Sequence, residues 1–205
     1  AITMSNFFDF NTASEQQEGD LLPSKTYARV ICAIRPGGHG VGGWLSKSQS
    51  GFEYLVMELT LSSAPYAKRK IFQNAGVGGV TEGHEKAASI TRSLLRGMLE
   101  SAKGIDPKDG SDKARRARII STWEELNELE FAIEIGIEKG KDGYGDKNKI
   151  LRVLTPDHKI YQRIMAGETV LPGGPGKTDP TAALPKNTPQ PTKNQAPSAI
   201  PAWAR

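Results

Sequence analysis

The chain has few of the residues that build covalent or metal-based sites. Its 205 residues include one cysteine, Cys32, and three histidines, His39, His84 and His158. A single cysteine excludes an internal disulfide and is typical of a reducing compartment, so we expect a cytoplasmic location. The histidines are far apart in sequence and give no metal-ligand spacing. We therefore predict no metal, no cofactor and no enzymatic activity.

Long apolar runs and a strong excess of one charge are also lacking. No segment approaches the ~20 apolar residues of a membrane-spanning helix, so we expect no membrane partner. The first residues show no basic region followed by an apolar core, and no secretory signal is expected. The 27 Lys and Arg against 23 Asp and Glu give a net charge of +4. This mild excess is compatible with a polyanionic partner but does not require one.

Two glycine-rich segments have the spacing of nucleotide-binding motifs. Gly38–Gly43 matches a dinucleotide-binding fingerprint, but that motif opens a helix, whereas here a loop and a β-type run follow. Gly173–Thr178 is similar to the end of a phosphate-binding loop, but the earlier glycine would fall on Leu171 and a proline-rich segment follows. Both motifs are rejected.

Composition divides the chain into three parts. Residues 1–20 hold three phenylalanines and a polar run, and we predict an amino-terminal arm. Residues 21–165 are predicted to form one domain. Residues 166–205 contain eight of the thirteen prolines and few large apolar side chains. Such a segment cannot bury enough surface to offset its ordering entropy, which predicts a disordered, proline-rich tail.

Within the domain, hydrophobic periodicity predicts the element order β-β-β-α-β-β. The predicted strands are Tyr27–Ile34, Phe52–Leu61, Lys68–Gln73, Leu129–Glu138 and Lys149–Leu154. The predicted helix, Glu82–Lys103, has Thr81 as its N-cap and Gly104 as its stop, and a second, short helix is expected within Asp157–Met165. This order is typical of a mainly β, five-stranded OB-like Greek-key barrel with one amphipathic helix between strands three and four.

The first three predicted strands carry aromatic and basic residues opposite their apolar faces. In the second strand, Leu55, Met57 and Leu59 are expected in the core, so the alternate residues point outward. The same reasoning places Cys32 inward. Glu58 is among these outward residues, and the aromatic and basic ones in the three strands are Tyr27, Arg29, Phe52, Tyr54, Lys68, Lys70 and Phe72. Aromatic faces stack on unpaired bases and cations contact phosphates, which predicts single-stranded nucleic acid as the ligand. The alternative is that the helix, the arm or a dimer partner covers these aromatic residues, so that they do not bind a ligand.

Two predicted loops flank this outward face. The first, Pro36–Gly51, is rich in glycine and carries Trp44 and Lys47. The second loop and its borders carry Lys139, Lys141, Tyr144, Lys147 and Lys149. Loops at these places close over ligands in OB barrels, which adds the seven residues to the predicted site, although solvated mobile loops fit equally well. A basic cluster at residues 113–118 is a secondary candidate, because three aspartates just before it weaken its field.

Short patterns distributed over residues 6–155 point to a family. They are Asn6–Phe10, Leu22–Tyr27, Phe52–Val56, Leu94–Leu99, and Phe131–Glu138 followed by Tyr144–Ile150. In these patterns the chain resembles phage-encoded single-stranded-DNA-binding proteins of replication and recombination modules. The resemblance implies an OB-fold that protects single-stranded DNA, and a location in the host cytoplasm if the chain is phage-encoded.

The carboxyl-terminal tail departs from the acidic tails with which many single-strand binders recruit replication partners. Its charges are mostly basic, and Trp203 near its end is a candidate docking motif for replication or recombination proteins. Homo-oligomers are compatible with the sequence. The leading hypothesis is a non-enzymatic single-stranded-DNA-binding protein with little sequence preference. A protein-interaction adaptor that uses the sheet face and the tail is the alternative, and a nucleotide-dependent enzyme ranks third.

Overall fold

A computed structural model describes residues 20–141 and 143–173 of the chain. The strands in these residues are β1 Thr26–Arg35, β2 Ser46–Lys47, β3 Glu53–Leu61, β4 Lys70–Gly78, β5 Glu130–Glu138 and β6 Lys147–Leu154. The helices are α1 Glu82–Lys103, α2 Asp112–Ala117 and α3 Tyr161–Met165, with 3₁₀ turns at Val41–Gly43 and Trp123–Leu126. The predicted amino-terminal arm before Asp20 and the predicted tail after Gly173 lie outside the described residues.

The described strands form one antiparallel sheet, which confirms the predicted mainly β class. β3 pairs with β1 on one edge and with β4 on the other, while β5 joins β1 to β6. The order is therefore β4-β3-β1-β5-β6, and the short β2 pairs with β3 beyond the end of β1. The two outer strands approach each other where the Ile150 N–H donates to the Gln73 side-chain oxygen at 3.1 Å.

Apolar alternation located three of the long strands to within one residue at each end. β1, β3 and β5 match their predicted ranges, whereas β4 begins two residues later than predicted and extends to Gly78. Lys68 has a φ of +70°, which is incompatible with a strand. Residues 74–78 are polar or small except for Val77, but they pair with β3 through backbone hydrogen bonds that need no apolar side chains. Their composition therefore concealed half of β4.

The core lies on the inner face of the sheet, and α1 packs against it. The residues that alternation placed inward in β3, such as Met57 and Leu59, are fully buried, and α1 adds Met98 and Leu99. Cys32 is buried among them, as predicted, and desolvation raises its pKa to about 12. A thiol with such a pKa stays protonated at neutral pH. Its role is that of a small core side chain.

Helix α1 begins and ends where the sequence predicts. The Thr81 side chain accepts a hydrogen bond from the His84 N–H at 3.1 Å, and Gly104 adopts the left-handed conformation at the carboxyl end with a φ of +64°. Together these residues satisfy backbone groups that a helix end leaves unpaired. The described part of the chain has no helix with the length and apolarity needed to cross a bilayer.

Removing the amino-terminal cap of α1 gives a stability prediction. We expect Thr81→Ala to lower the free energy of unfolding by about 1 kcal/mol, because the His84 N–H loses its acceptor. Thermal unfolding followed by circular dichroism measures the change, and Thr81→Ser, which keeps the hydroxyl, is the matched control. Equal midpoints for Thr81→Ala and the unmodified chain would show that this cap does not stabilise the fold.

Part of the outer face of the sheet is covered by the segment that follows β6. Ala132 lies on the face of β5 opposite the main core, yet it is fully buried in a small cluster with Tyr161 and Ile164 of α3. Val170 exchanges two backbone hydrogen bonds with Tyr27, so residues 166–173 of the predicted tail include a pairing partner of β1. The sequence of β5 does not predict that Ala132 is covered, because the residues that cover it come later in the chain.

Candidate nucleic-acid interface

An exposed aromatic ring lies on the outer face of β1, β3 and β4. Phe72 of β4 is 50 % exposed and pairs across the sheet with Glu58 of β3, which in turn pairs with Ala33 of β1. The Arg35 guanidinium lies 5.3 Å from the centroid of the Phe72 ring. A cation at this distance is attracted to the ring and adds a positive charge beside it.

Two cations are held beside this ring by one carboxylate. Glu58 accepts a hydrogen bond from Arg35 Nε at 2.7 Å and a second from Lys70 Nζ. Its side chain is only 10 % exposed, and the hydrogen bonds from Lys70 and Arg35 hold its pKa below the usual range. Glu58 is therefore ionised at neutral pH and fixes Arg35 and Lys70 near Phe72, while it neutralises part of their charge.

A second aromatic group occupies the other end of β3. The Tyr54 ring stacks on Phe52 with centroids 5.5 Å apart, and the ring of His84 of α1 lies 5.0 Å from that of Phe52. Gly76 pairs with Tyr54, and a Cβ at this position would meet the Phe52 ring at 2.3 Å. Phe52 is thus a packing residue that supports Tyr54. Tyr54 lies about 13 Å from Glu58 along the strand, at ~3.3 Å per residue.

The predicted site residues of β1 have partners within the protein. Tyr27 and Val170 both pack against the small cluster of Ala132, Leu154, Tyr161 and Ile164. Arg29 donates from Nε to Ser62 Oγ at 3.0 Å and from Nη1 to the Met165 carbonyl oxygen at 3.1 Å, and it lies 3.4 Å from a Glu130 carboxylate oxygen. The structure therefore does not bring Tyr27 and Arg29 into the exposed surface around Phe72.

The two predicted loops carry aromatic residues in different environments. Trp44 of the glycine-rich loop is partly buried against the core, near Trp123. Tyr144 of the β5–β6 loop is 82 % exposed. Aromatic surface is thus available in both loops, although only Tyr144 presents most of its side chain to solvent.

Several of the predicted phosphate-binding lysines form ion pairs. Lys47 lies 3.3 Å from Glu53, and the hydrogen bonds from His39 and Lys47 lower the pKa of that carboxyl group. Lys139 pairs with Asp146 at 2.6 Å and Lys147 with Glu138 at 3.1 Å. Lys70 is paired with Glu58, as described above. The other three predicted lysines have no ion-pair partner among the residues that the structure describes: Lys68, Lys141 and Lys149.

The secondary basic cluster after α1 is partly used for folding. Arg118 donates from Nε to the buried Glu100 carboxylate at 2.6 Å and from its terminal nitrogens to the carbonyl oxygens of Asp106 and Asp109. These bonds fold the acidic loop around the guanidinium. Arg118 is therefore a structural cation, which leaves a smaller charge in the cluster for a ligand.

Three residues near the candidate interface were missed by the sequence reasoning. Arg35 continues the outward alternation of β1, but the predicted strand ended at Ile34, one residue too early. Glu58 was assigned to the outward face without its role as the anchor of two cations. Trp123 lies in a short 3₁₀ turn that has no periodic signal.

Metal binding and relationships to other proteins were also considered. In residues 20–141 and 143–173, no group of three or more His, Cys, Asp and Glu side chains is arranged to hold a metal ion. No protein-family model and no curated protein matches the chain.

Proposed function

We propose that this chain binds single-stranded DNA, with little sequence preference, on the outer face of β1, β3 and β4. The observation that carries the proposal is the exposed Phe72 ring, which has the Arg35 guanidinium 5.3 Å from its centroid and Lys70 two residues before it on β4. An aromatic ring stacks on an unpaired base with about 1–3 kcal/mol, and neighbouring cations contact the phosphates. Every base has a π-face, so such contacts tolerate many sequences, whereas a duplex hides these faces.

The strand arrangement supports an OB-like barrel as the framework. The order β4-β3-β1-β5-β6, with α1 between β4 and β5, matches the strand order expected for a five-stranded Greek-key barrel, and a hydrogen bond between Gln73 and Ile150 joins the two outer strands of the sheet. In this fold, oligonucleotides bind to the face of the second and third strands, which correspond to β3 and β4. Phe72 and Tyr54 lie on these two strands.

The proposed contacts combine this face with the two flanking loops. Phe72 and Tyr54 stack on bases, and Trp44 and Tyr144 extend the stacking surface into the loops. Arg35, Lys68 and Lys70 contact phosphates beside Phe72, and the lysines of the β5–β6 loop contact phosphates farther along. Tyr27 and Arg29 are left out of the contact set because they pair with α3 and its neighbours. The family resemblance implies that such binding protects single-stranded DNA during phage replication or recombination.

Protection from nucleases tests the proposed activity directly. We expect the full chain to slow digestion of a single-stranded oligonucleotide by a single-strand nuclease and to leave digestion of the matched duplex by a duplex nuclease unchanged. Bovine serum albumin at the same concentration controls for adsorption. Equal protection of single strand and duplex would indicate general polyanion binding and would favour the adaptor hypothesis.

Removing the charge of Glu58, which pairs with Arg35 and Lys70, is predicted to tighten the binding of single-stranded DNA. We expect Glu58→Gln to strengthen single-strand binding by about three- to tenfold at low salt, because Arg35 and Lys70 no longer share their charge with an anion. The dependence of affinity on salt should also become steeper, by up to ~0.7 per additional phosphate contact. Titrations of a labelled oligonucleotide at several salt concentrations measure both quantities.

The matched control is Glu85→Gln on α1, which removes the same charge from a carboxylate paired with Arg92. Glu85 lies on an exposed stretch of the helix, and its substitution changes the net charge without altering the surface around Phe72. If both variants strengthen binding equally, net charge alone explains the effect. Unchanged or weaker binding by a folded Glu58→Gln variant would contradict the assignment of Arg35 and Lys70 as phosphate contacts.

A further inference from the structure

A cavity of about 370 Å³ lies between the glycine-rich loop that follows β1 and the 120–124 segment that precedes β5, outside the surface around Phe72. One wall comes from the glycine-rich loop and includes Val41, Gly42 and Trp44. The other wall comes from the 120–124 segment and includes Ile120 and Trp123, together with Ser121, Thr122 and Glu124. Cavities of this size hold small organic ligands, and two tryptophans provide an unusually large aromatic lining.

Backbone hydrogen bonds hold the wall formed by the glycine-rich loop. The N–H of Gly38 donates to the Gly43 carbonyl oxygen at 2.9 Å, and His39 and Leu45 exchange two further backbone hydrogen bonds. Gly42 has a φ of +74°, and a Cβ there would lie 2.9 Å from the Trp44 ring. The loop is therefore wound tightly around Trp44, which fixes one side of the cavity.

The second wall is anchored to β1. Glu125 Oε1 accepts hydrogen bonds from the N–H groups of Ser121 and Thr122 at 2.6 and 3.1 Å. Asn127 Oδ1 accepts from the Ile34 N–H at 2.6 Å, and Leu126 is fully buried. Since both walls are held before any ligand arrives, binding in the cavity loses little conformational entropy.

The position and charge of the cavity indicate which part of a strand would enter it. The glycine-rich loop follows Arg35 in the chain, and the segment of the second wall is hydrogen-bonded to Ile34 through Asn127. Both walls are therefore attached to the end of β1 that carries this cation. Among the described residues that line the cavity, the charged one is Glu124, and none is a cation. A phosphate is disfavoured beside a carboxylate, whereas an uncharged base is not.

We propose that this cavity binds one nucleobase of the single strand, with its phosphates outside toward Arg35; this inference rests on the proposed function. The indoles of Trp44 and Trp123 provide stacking surfaces, and the oxygens of Ser121, Thr122 and Glu124 accept hydrogen bonds. A carboxylate accepts well from the amino group of cytosine, and thymine has no amino group. The cavity therefore favours a base that carries an exocyclic amino group over thymine.

Nuclear magnetic resonance of the full chain tests this inference with free nucleosides. The chain has three tryptophans, so its ¹⁵N-labelled form gives three indole N–H signals, which single Trp→Phe variants assign. We expect deoxycytidine at millimolar concentration to shift the signals of Trp44 and Trp123, and thymidine to shift them less. Ser121→Phe, which fills the cavity from its exposed rim, should abolish the shifts, and Ser89→Phe on α1 should not.

Strand binding separates this inference from the proposed function. We expect Ser121→Phe to weaken binding of an oligo-deoxycytidine of about 15 nucleotides roughly tenfold and that of oligo-deoxythymidine less. Oligonucleotide binding that is unchanged in Ser121→Phe, without nucleoside-induced shifts of Trp44 or Trp123 in the unmodified chain, would overturn the cavity proposal and leave the function intact. Nucleoside shifts without any oligonucleotide binding would overturn the proposed function and retain the cavity as a base-binding site.

Discussion

Replacement of Phe72 by alanine is expected to weaken single-strand binding by about five- to a hundredfold. The ring is half exposed on the outer face of β4, next to Arg35, and it offers an aromatic surface for stacking. Loss of one stacked base costs about 1–3 kcal/mol, and 1.4 kcal/mol corresponds to a factor of ten in affinity. Fluorescence anisotropy of a labelled oligonucleotide measures the dissociation constants of the variant and the unmodified chain under identical salt conditions.

The matched control for this variant is Ile90→Ala. Ile90 is a similarly exposed apolar residue, at 66 %, but it lies on α1 instead of the sheet face. We expect Ile90→Ala to bind DNA as the unmodified chain does, and both variants to keep the unfolding midpoint nearly unchanged, as exposed positions usually do. If Phe72→Ala retained full affinity, the stacking surface would lie elsewhere and the proposed interface would be wrong.

Replacement of Phe131 by alanine is expected to have the largest effect on stability. Phe131 is a large, fully buried side chain on the inner face of β5, and it belongs to the main core cluster. Truncation to alanine removes its buried apolar surface and leaves a cavity that the neighbouring side chains fill only partly. Substitutions of this kind lower the free energy of unfolding by about 3–5 kcal/mol.

Thermal unfolding measures this loss, and Phe72→Ala provides the comparison because it removes the same ring from an exposed position. We expect Phe131→Ala to lower the unfolding midpoint by roughly 10 °C and Phe72→Ala to shift it by about 1 °C or less. The two phenylalanine variants should thus separate stability from binding. Similar midpoints for both variants would contradict the assignment of Phe131 to the core.

The sequence was sufficient to predict the elements whose structure depends mainly on residues close to them in the chain. Helix α1 was predicted residue for residue, because its apolar repeat, Thr81 and Gly104 are all local signals. In β3, strict alternation identified the inward side chains, and the same alternation predicted that Phe72 and Lys70 of β4 point outward. Periodicity shows which face of an element is apolar. It therefore predicted that Phe72 and Lys70 of the candidate interface point away from the core.

Features that depend on contacts between distant segments could not be predicted. The cover of Tyr27 by α3 and Val170 involves residues more than a hundred positions later in the chain. The cavity that Trp44 and Trp123 line likewise lies between a glycine-rich loop and a 3₁₀ turn, and neither segment has a periodic pattern. Glu58 was visible as an outward residue, but its bonds to Arg35 and Lys70 required the register of three strands.

The affinity of the full chain for single-stranded DNA and for the matched duplex, measured over a salt series, tests the central claim most directly. The proposed interface predicts binding to the single strand at least about tenfold tighter than to the duplex, because only unpaired bases can stack on Phe72. It also predicts that the affinity falls as salt rises, with a slope of about −0.7 for each phosphate contact. Equal affinity for both forms of DNA, or no binding at low salt, would contradict it.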